Sequence, residues 1–167
     1  MSLRPSLSCP PAKSQDMSFF RWLQRAERSL PIIEHPVFGK LEATLINKDG
    51  TFFWDTPRSL VTPKGSVGIF VDASSDGPTD AQVALWHWIY ENAETLAKLA
   101  EPLMIDRLRE FGLDTHIRDL VWSAVGLSRD GHSRSPWDMS FELLAEDNAV
   151  LTAYFVDGVP TTISFDD

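Results

Sequence analysis

Apolar residues change their spacing twice along this chain. They alternate with polar residues over positions 41–45 and 67–71, recur every three or four residues over 86–100, and alternate again over 137–143. Alternation is typical of a strand with one buried face, whereas the wider spacing indicates an amphipathic helix. Strands on both sides of a helical segment, joined by short turns, predict an α+β fold with antiparallel sheet and the helices packed on one face.

Turn residues divide the strand-rich segments. Lys48-Asp49-Gly50 precedes the aromatic run Phe52-Phe53-Trp54, and Pro63-Lys64-Gly65 precedes the alternation over 67–71. Asp-Gly favours a tight hairpin because glycine readily adopts the positive φ that such a turn requires. The pattern predicts three antiparallel strands in this region. After Gly112 four more strands are predicted, over residues 120–127, 137–144, 150–156 and 159–165, with turns at 146–148 and 157–158.

A capping box marks the start of the central helix. Thr79 and Gln82 have the spacing at which each side chain bonds to a free backbone amide in the first turn. Pro102 should end or kink this helix, because proline is best tolerated in a first helical turn. A second short helix is therefore predicted over 103–111, with Gly112 as its cap, so that the two form a central helix pair.

The N-terminal part of the chain divides at residue 17. Residues 17–29 place Phe19, Phe20, Trp22 and Leu23 at helical spacing, which predicts an N-terminal helix that packs on the sheet. Residues 1–16 are rich in Ser and Pro and show no such spacing, which predicts a disordered tail. The remaining residues, 17–167, have the length of a single domain.

The charge balance favours a basic partner. The chain has 24 acidic residues against 15 Lys and Arg, a formal net charge of -9. That sign opposes binding to nucleic acid or to an anionic membrane surface. The single Cys9 cannot form an intramolecular disulfide, and no apolar run reaches the ~20 residues of a transmembrane helix. Because prolines interrupt any apolar signal segment near the N-terminus, we expect a cytoplasmic protein.

The sequence contains none of the motifs that mark common catalytic or cofactor sites, such as a Gly-rich phosphate loop, a Gly-x-Ser-x-Gly elbow, His-Glu-x-x-His or Cys-x-x-Cys. We therefore predict no catalytic residue, no cofactor and no metal. His87 and Glu91 lie one helical turn apart, so a small hydrolase or ligand-binding enzyme with its site near His87 stays open as an alternative. Asp72, Asp76 and Asp80 have part of the spacing of a calcium loop, but without its distal Glu we favour a helix-start role for Asp80.

Acidic residues gather in the last hairpins. Asp138, Glu142, Glu146 and Asp147 are predicted to form a surface that binds a cationic protein. The simpler interpretation is that they keep a sheet face and its turns soluble. Trp86-His87-Trp88 places two indoles on different sides of a helix, so one lines an interface unless an adjacent element covers it. A homodimer formed through Trp-rich surfaces is a further alternative.

Four segments carry a resemblance to known proteins. They are His35-Pro36-Val37-Phe38-Gly39, residues 65–72, Pro78-Thr79-Asp80-Ala81-Gln82 and residues 137–167. In their order they resemble a loose group of small acidic bacterial domains of unknown function, some of which are thought to act as immunity proteins against toxins. The resemblance covers most of the chain from Ile32 onward. It implies a non-catalytic cytoplasmic protein that binds a basic protein such as a nuclease toxin, and it supplies no catalytic residues.

Overall fold

The computed structural model describes residues 30–146 and 149–166. In these residues the chain forms nine strands, one α-helix and one 3-10 helix. In chain order they are β1 (Ile32–His35), β2 (Gly39–Ile46), β3 (Phe52–Asp55), β4 (Leu60–Thr62), β5 (Gly65–Ala73), α1 (Asp80–Arg109), the 3-10 helix (Asp114–Asp119), β6 (Leu120–Leu127), β7 (Trp137–Leu143), β8 (Val150–Val156) and β9 (Val159–Asp166).

The strands form one mixed sheet. Its order is β1-β2-β3-β5-β6-β7-β8-β9, and β4 pairs with the start of β5. Strands β5 and β6 are parallel, and every other pairing is antiparallel. The parallel pair arises because α1 carries the chain across between β5 and β6, a connection that a tight turn cannot make. A sheet packed with a helix is therefore confirmed, and the predicted antiparallel sheet is corrected to a mixed one.

The strand predictions differ in accuracy between the two halves of the sheet. Strands β6 to β9 match the predicted ranges to within one residue at each end. The first region has five strands rather than three, because β1 and β4 are only four and three residues long and too short to show alternation. The two turns predicted in the first region are confirmed: the Gly50 N–H donates to the Asn47 carbonyl at 3.0 Å, and β4 and β5 join at Thr62 and Gly65.

The predicted central helix pair is wrong, because α1 is one helix that continues through Pro102 to Arg109. Pro102 is exposed, whereas Ala100, Met104 and Leu108 on either side of it are buried on one apolar face. Packing of that face stabilises the helix by more than the single hydrogen bond that proline removes.

Both predicted caps of the helical segment are confirmed. The Thr79 N–H donates to Gln82 Oε1 at 2.9 Å, and the Gln82 N–H donates to Thr79 Oγ1 at 3.3 Å. At the other end Gly112 has φ +74°, and the Leu113 N–H donates to the Leu108 carbonyl at 3.0 Å, as in a Schellman motif. No helix in the described part of the chain is long and apolar enough to cross a membrane. The helix predicted over 17–29 and the tail predicted over 1–16 lie outside the described residues.

The two faces of the sheet are unlike. Helix α1 packs on one of them, which we call the covered face, through contacts with β6, β8 and β9. Here alternate residues of the strands are buried in a single core, as Ile69, Val125, Met139 and Ala153 illustrate. The other side, which we call the open face, has no helix over it in the described residues. Apart from the buried Ala124, its side chains are half-buried or exposed.

The buried side chain of Gln82 fixes α1 on the sheet. Its Nε2 lies 2.9 Å from the carbonyl oxygen of Asp72, 3.2 Å from that of Ser128 and 3.1 Å from that of Arg129. Because Asp72 is in β5 and the other two residues follow β6, one amide ties the start of the helix to the parallel pair of strands.

Candidate functional site

The open face is strongly acidic. Residues paired across neighbouring strands share a face, so the registers identify the side chains that lie there. The carboxylates on this face are Glu34, Glu42, Asp55, Asp72, Asp138, Glu142 and Asp166. In the described strands, Lys40 is the only Lys or Arg on this face, and it forms an ion pair with Glu42 at 2.5 Å. The face therefore carries a large excess of negative charge.

A trough of about 390 Å³ lies in this face. Gly126 of β6 pairs with Phe70 of β5 on one side and with Asp138 of β7 on the other. Because Gly126 has no side chain, the row of side chains that crosses the sheet is interrupted at β6. We call the resulting depression the Asp138 trough and define it by Phe53, Phe70, Gly126, Asp138, Ser140 and Tyr154.

Asp138 leans over the glycine. Its Oδ1 accepts a hydrogen bond from the Gly126 N–H at 3.2 Å, and a Cβ added to Gly126 would overlap the carboxylate. In the described residues no Lys, Arg or His forms an ion pair with it. Burial raises the pKa of Asp138, and the hydrogen bond from Gly126 opposes this only in part. The trough thus holds a carboxylate whose charge is incompletely compensated.

Aromatic rings, hydroxyl groups and a second carboxylate, Asp72, also line the trough. The rings of Phe53 and Phe70 stack with centroids 5.9 Å apart and an interplanar angle of 16°. Ser140 Oγ lies 3.1 Å from Thr152 Oγ1, and the Tyr154 side chain is 38% exposed. A carboxylate beside aromatic faces and hydroxyl acceptors suits a cationic group with apolar flanks.

A pair of like charges lies elsewhere on the same face. Glu42 of β2 and Asp55 of β3 are direct cross-strand partners. Burial raises the pKa of Asp55, and the neighbouring Glu42 charge raises it further. Carboxylates placed directly opposite one another on a sheet destabilise it. A cationic partner that covered this face would relieve that repulsion.

The predicted site residues are only partly brought together. Asp138 and Glu142 lie on the open face of β7 with Ser140 between them, and Glu142 is exposed. Glu146 is exposed in the turn that follows β7, outside the trough. Asp147 lies outside the described residues. Of the four, Asp138 alone lines the trough.

Sequence reasoning missed Phe53, Phe70, Gly126 and Tyr154 as site residues. One signal pointed to the place: glycine inside a strand weakens it and often marks a close approach, which made Gly126 unusual within residues 120–127. The neighbours of Gly126, however, follow from the parallel pairing of β5 with β6. Hydrophobic spacing reveals the face of a residue but not the order of strands.

The alternative site near His87 is a separate shallow depression of about 300 Å³. Its lining includes Leu60, Pro63, Trp86 and Tyr90 but no carboxylate. No group of three or more His, Cys, Asp or Glu side chains in the described residues is arranged to hold a metal ion, including those of the calcium-loop alternative. The geometry around His87 therefore does not favour the acid–base pair that a hydrolase requires.

The two indoles beside His87 differ in how far neighbouring elements cover them. Trp86 is buried, with its ring 6.0 Å from that of Trp122 in β6. Trp88 packs edge-on against Trp137 at 6.0 Å and remains 37% exposed. An adjacent strand therefore covers the second indole only in part.

An apolar groove runs between α1 and strands β6 and β7. Two overlapping depressions of about 290 and 390 Å³ form it and share Ala97, Leu120 and Phe141. Its rim carries both signs of charge, including Glu94 and Arg118. Among the described residues, no buried polar side-chain atom without a hydrogen-bond partner lines this groove, so the Asp138 trough is the stronger candidate.

Two segments behind the resemblance have structural roles. His35 Nδ1 accepts a hydrogen bond from the Val37 N–H at 3.2 Å, and its ring stacks on Phe38 with centroids 4.9 Å apart. These contacts shape the turn between β1 and β2, just as Thr79 and Gln82 cap α1. No protein-family model, curated protein or solved structure matches this chain. The resemblance to immunity-type domains stays a prediction.

Proposed function

We propose that this chain is a non-catalytic protein-binding domain that binds a basic protein on its open face, in the manner of an immunity protein. One observation carries the proposal: a half-buried carboxylate, Asp138, lies in a trough of an acidic face without an ion-pair partner in the described residues. Burying a carboxylate costs free energy, and a bound cation would offset that cost.

The mechanism is electrostatic and steric. A net charge of -9 and the carboxylates of the open face would steer a basic protein toward the sheet and raise its association rate. Tyr154 and Phe70 at the trough would then anchor the complex, because aromatic side chains dominate the binding energy of many interfaces. Inhibition would follow from covering the basic surface of the partner and would need no reaction on this chain.

The test compares two variants with the same net charge. The open-face variant carries Asp138→Asn and Glu142→Gln on the open face together with Glu146→Gln in the turn after β7, and the helix variant carries Glu91→Gln, Glu94→Gln and Glu101→Gln on exposed positions of α1. Wild type and both variants are used to capture proteins from a lysate of the organism that encodes the chain. The captured protein is then purified, and its association rate is measured by stopped flow at ionic strengths of about 0.05 and 0.5 M.

We expect wild type and the helix variant to capture the same basic protein and the open-face variant to associate about tenfold or more slowly. Higher salt should slow the wild type sharply, because screening shortens the range of steering. An equal loss in both variants would contradict the proposal, since net charge alone would then explain binding. Capture of no basic protein by the wild type would contradict it as well.

A further inference from the structure

The Asp138 trough is one side chain wide. Its walls stand on β5 and β7, which flank β6, and neighbouring strands lie about 4.8 Å apart, so the walls are separated by about 10 Å. An α-helix with its side chains is about 10–12 Å across, which leaves no room for one between side chains that project from these walls. The trough therefore suits a single projecting side chain rather than an element of a partner's backbone.

The donors and acceptors of the trough distinguish between cations. Asp138 Oδ1 accepts from the Gly126 N–H, which leaves Oδ2 as an acceptor, and the Ser140 hydroxyl lies two residues further along the same face. A guanidinium group presents several N–H donors in one plane and also stacks on aromatic faces such as those of Phe70 and Tyr154. An ammonium group is more strongly hydrated and has no plane to stack. Resting on the proposed function, we infer that the trough receives the guanidinium group of one arginine side chain of the basic partner.

The trough is organised before binding. Asp138 is held over Gly126 by a hydrogen bond and is already half-buried. Its carboxylate has therefore lost part of its water in the free protein, before any ligand binds. Such preorganisation strengthens binding because less has to be ordered when the ligand arrives. A bound guanidinium would lower the pKa of Asp138 back toward its ordinary range.

The first experiment uses a defined probe instead of the unidentified partner. The full chain, labelled with nitrogen-15, is titrated with the peptide acetyl-Gly-Arg-Gly-amide while its amide resonances are followed by NMR. The matched peptides replace arginine with lysine or with citrulline, which keeps the planar shape but removes the charge. We expect the arginine peptide to shift the Gly126 and Tyr154 amides saturably, the lysine peptide to bind about fivefold or more weakly, and citrulline to produce no saturable shift.

Three variants locate the site. Asp138→Asn should weaken the arginine peptide about tenfold, since it removes the charge but retains an oxygen to accept from Gly126. Gly126→Ala leaves every charge in place but displaces the carboxylate, and it should weaken binding about as much. Gly68→Ala is the matched control on the same face, because its added Cβ meets Ala124 Cβ at an ordinary 3.6 Å. This control should bind like the wild type.

Several outcomes would overturn the inference. Equal binding of the arginine and citrulline peptides, shifts spread evenly over the acidic face, or full binding by Gly126→Ala would each do so. The result is separable from that of the proposed function. If the peptide does not bind the trough but capture of the basic protein still requires Asp138, Glu142 and Glu146, the guanidinium site fails and the binding domain stands. If the peptide binds the trough but the wild type captures no basic protein, the guanidinium site stands and the proposed function fails.

Discussion

The two faces of β7 differ in how completely their polar groups are satisfied. On the covered face Met139 and Phe141 are buried in the core, and the buried side chain of Gln82 in α1 has hydrogen-bond partners for both its amide nitrogen and its oxygen. On the open face of the same strand, Asp138 has one hydrogen bond and no ion pair in the described residues. Fully paired polar groups favour a unique fold, whereas an incompletely paired one is characteristic of a site that awaits a ligand.

The comparison predicts opposite effects for substitutions on the two faces. Removing a polar group from the covered face should destabilise the fold, because it leaves buried partners without hydrogen bonds. Removing the charge from the trough should stabilise the fold and weaken binding, because natural binding sites commonly retain groups at the expense of stability.

The largest effect is expected for Gln82→Leu. This change leaves the carbonyl oxygens of Asp72, Ser128 and Arg129 without their amide donor and also removes half of the capping box. We expect a loss of about 3 kcal/mol in the free energy of unfolding, measured by urea denaturation. Thr79→Ala, which removes only the cap hydroxyl, is the control and should cost about 1 kcal/mol. Equal losses in the two variants would mean that Gln82 acts only as a cap.

An effect of the opposite sign is expected for Asp138→Asn. Because burial raises the folded-state pKa of Asp138 above its ordinary value of 3.8, the folded protein holds this proton more tightly than the unfolded chain. Ionisation of Asp138 therefore destabilises the fold, and stability falls as the pH rises through the folded-state pKa. The variant should unfold at a higher temperature than the wild type at about pH 7, and the difference should vanish as the pH falls below about 3.8.

Thermal unfolding followed by circular dichroism across this pH range measures the effect. Glu142→Gln is the control on the same strand: it also removes one negative charge, but from an exposed side chain. Its unfolding temperature should stay close to that of the wild type. If Asp138→Asn is less stable than the wild type at about pH 7, Asp138 is compensated in the free protein and the comparison between the faces fails.

How much of this could be read from the sequence differs between the two faces. The covered face was predicted well, since buried positions such as Met139 and Phe141 alternate and the helical positions from Trp86 to Ala100 follow the helix period. Burial of apolar side chains is recorded in the spacing of the residues themselves. The continuation of α1 through Pro102 was not predicted, because it depends on tertiary packing of Met104 and Leu108 that outweighs a local rule.

The open face was predicted only at Asp138 and Glu142. The face of each residue follows from alternation, but the trough requires Phe70, Gly126 and Asp138 to be neighbours across three strands. That arrangement depends on the long connection through α1, which brings together residues more than fifty positions apart. A single sequence carries no local signal for such a pairing, and a glycine inside a strand, such as Gly126, indicates only that a close approach occurs there.

The smallest effect is expected for Asp49→Asn, which tests a carboxylate that is well compensated. Asp49 accepts hydrogen bonds from the Thr51 hydroxyl at 2.7 Å and the Thr51 N–H at 3.1 Å, and it pairs with Arg129. The Thr51 hydrogen bonds, followed by the Arg129 side chain, lower the pKa of Asp49 to about 2.

The contribution of the Asp49 carboxylate to stability is therefore present above the ordinary pKa of 3.8 and is lost as the pH falls from there toward about 2. This is the reverse of the pH dependence expected at Asp138. Urea midpoints at about pH 7 should be slightly lower in the variant than in the wild type, and the two should converge only as the pH falls to about 2 or below. A higher midpoint in the variant at neutral pH would show that compensation by neighbouring groups does not decide the sign, and the contrast with Asp138 would then need another physical cause.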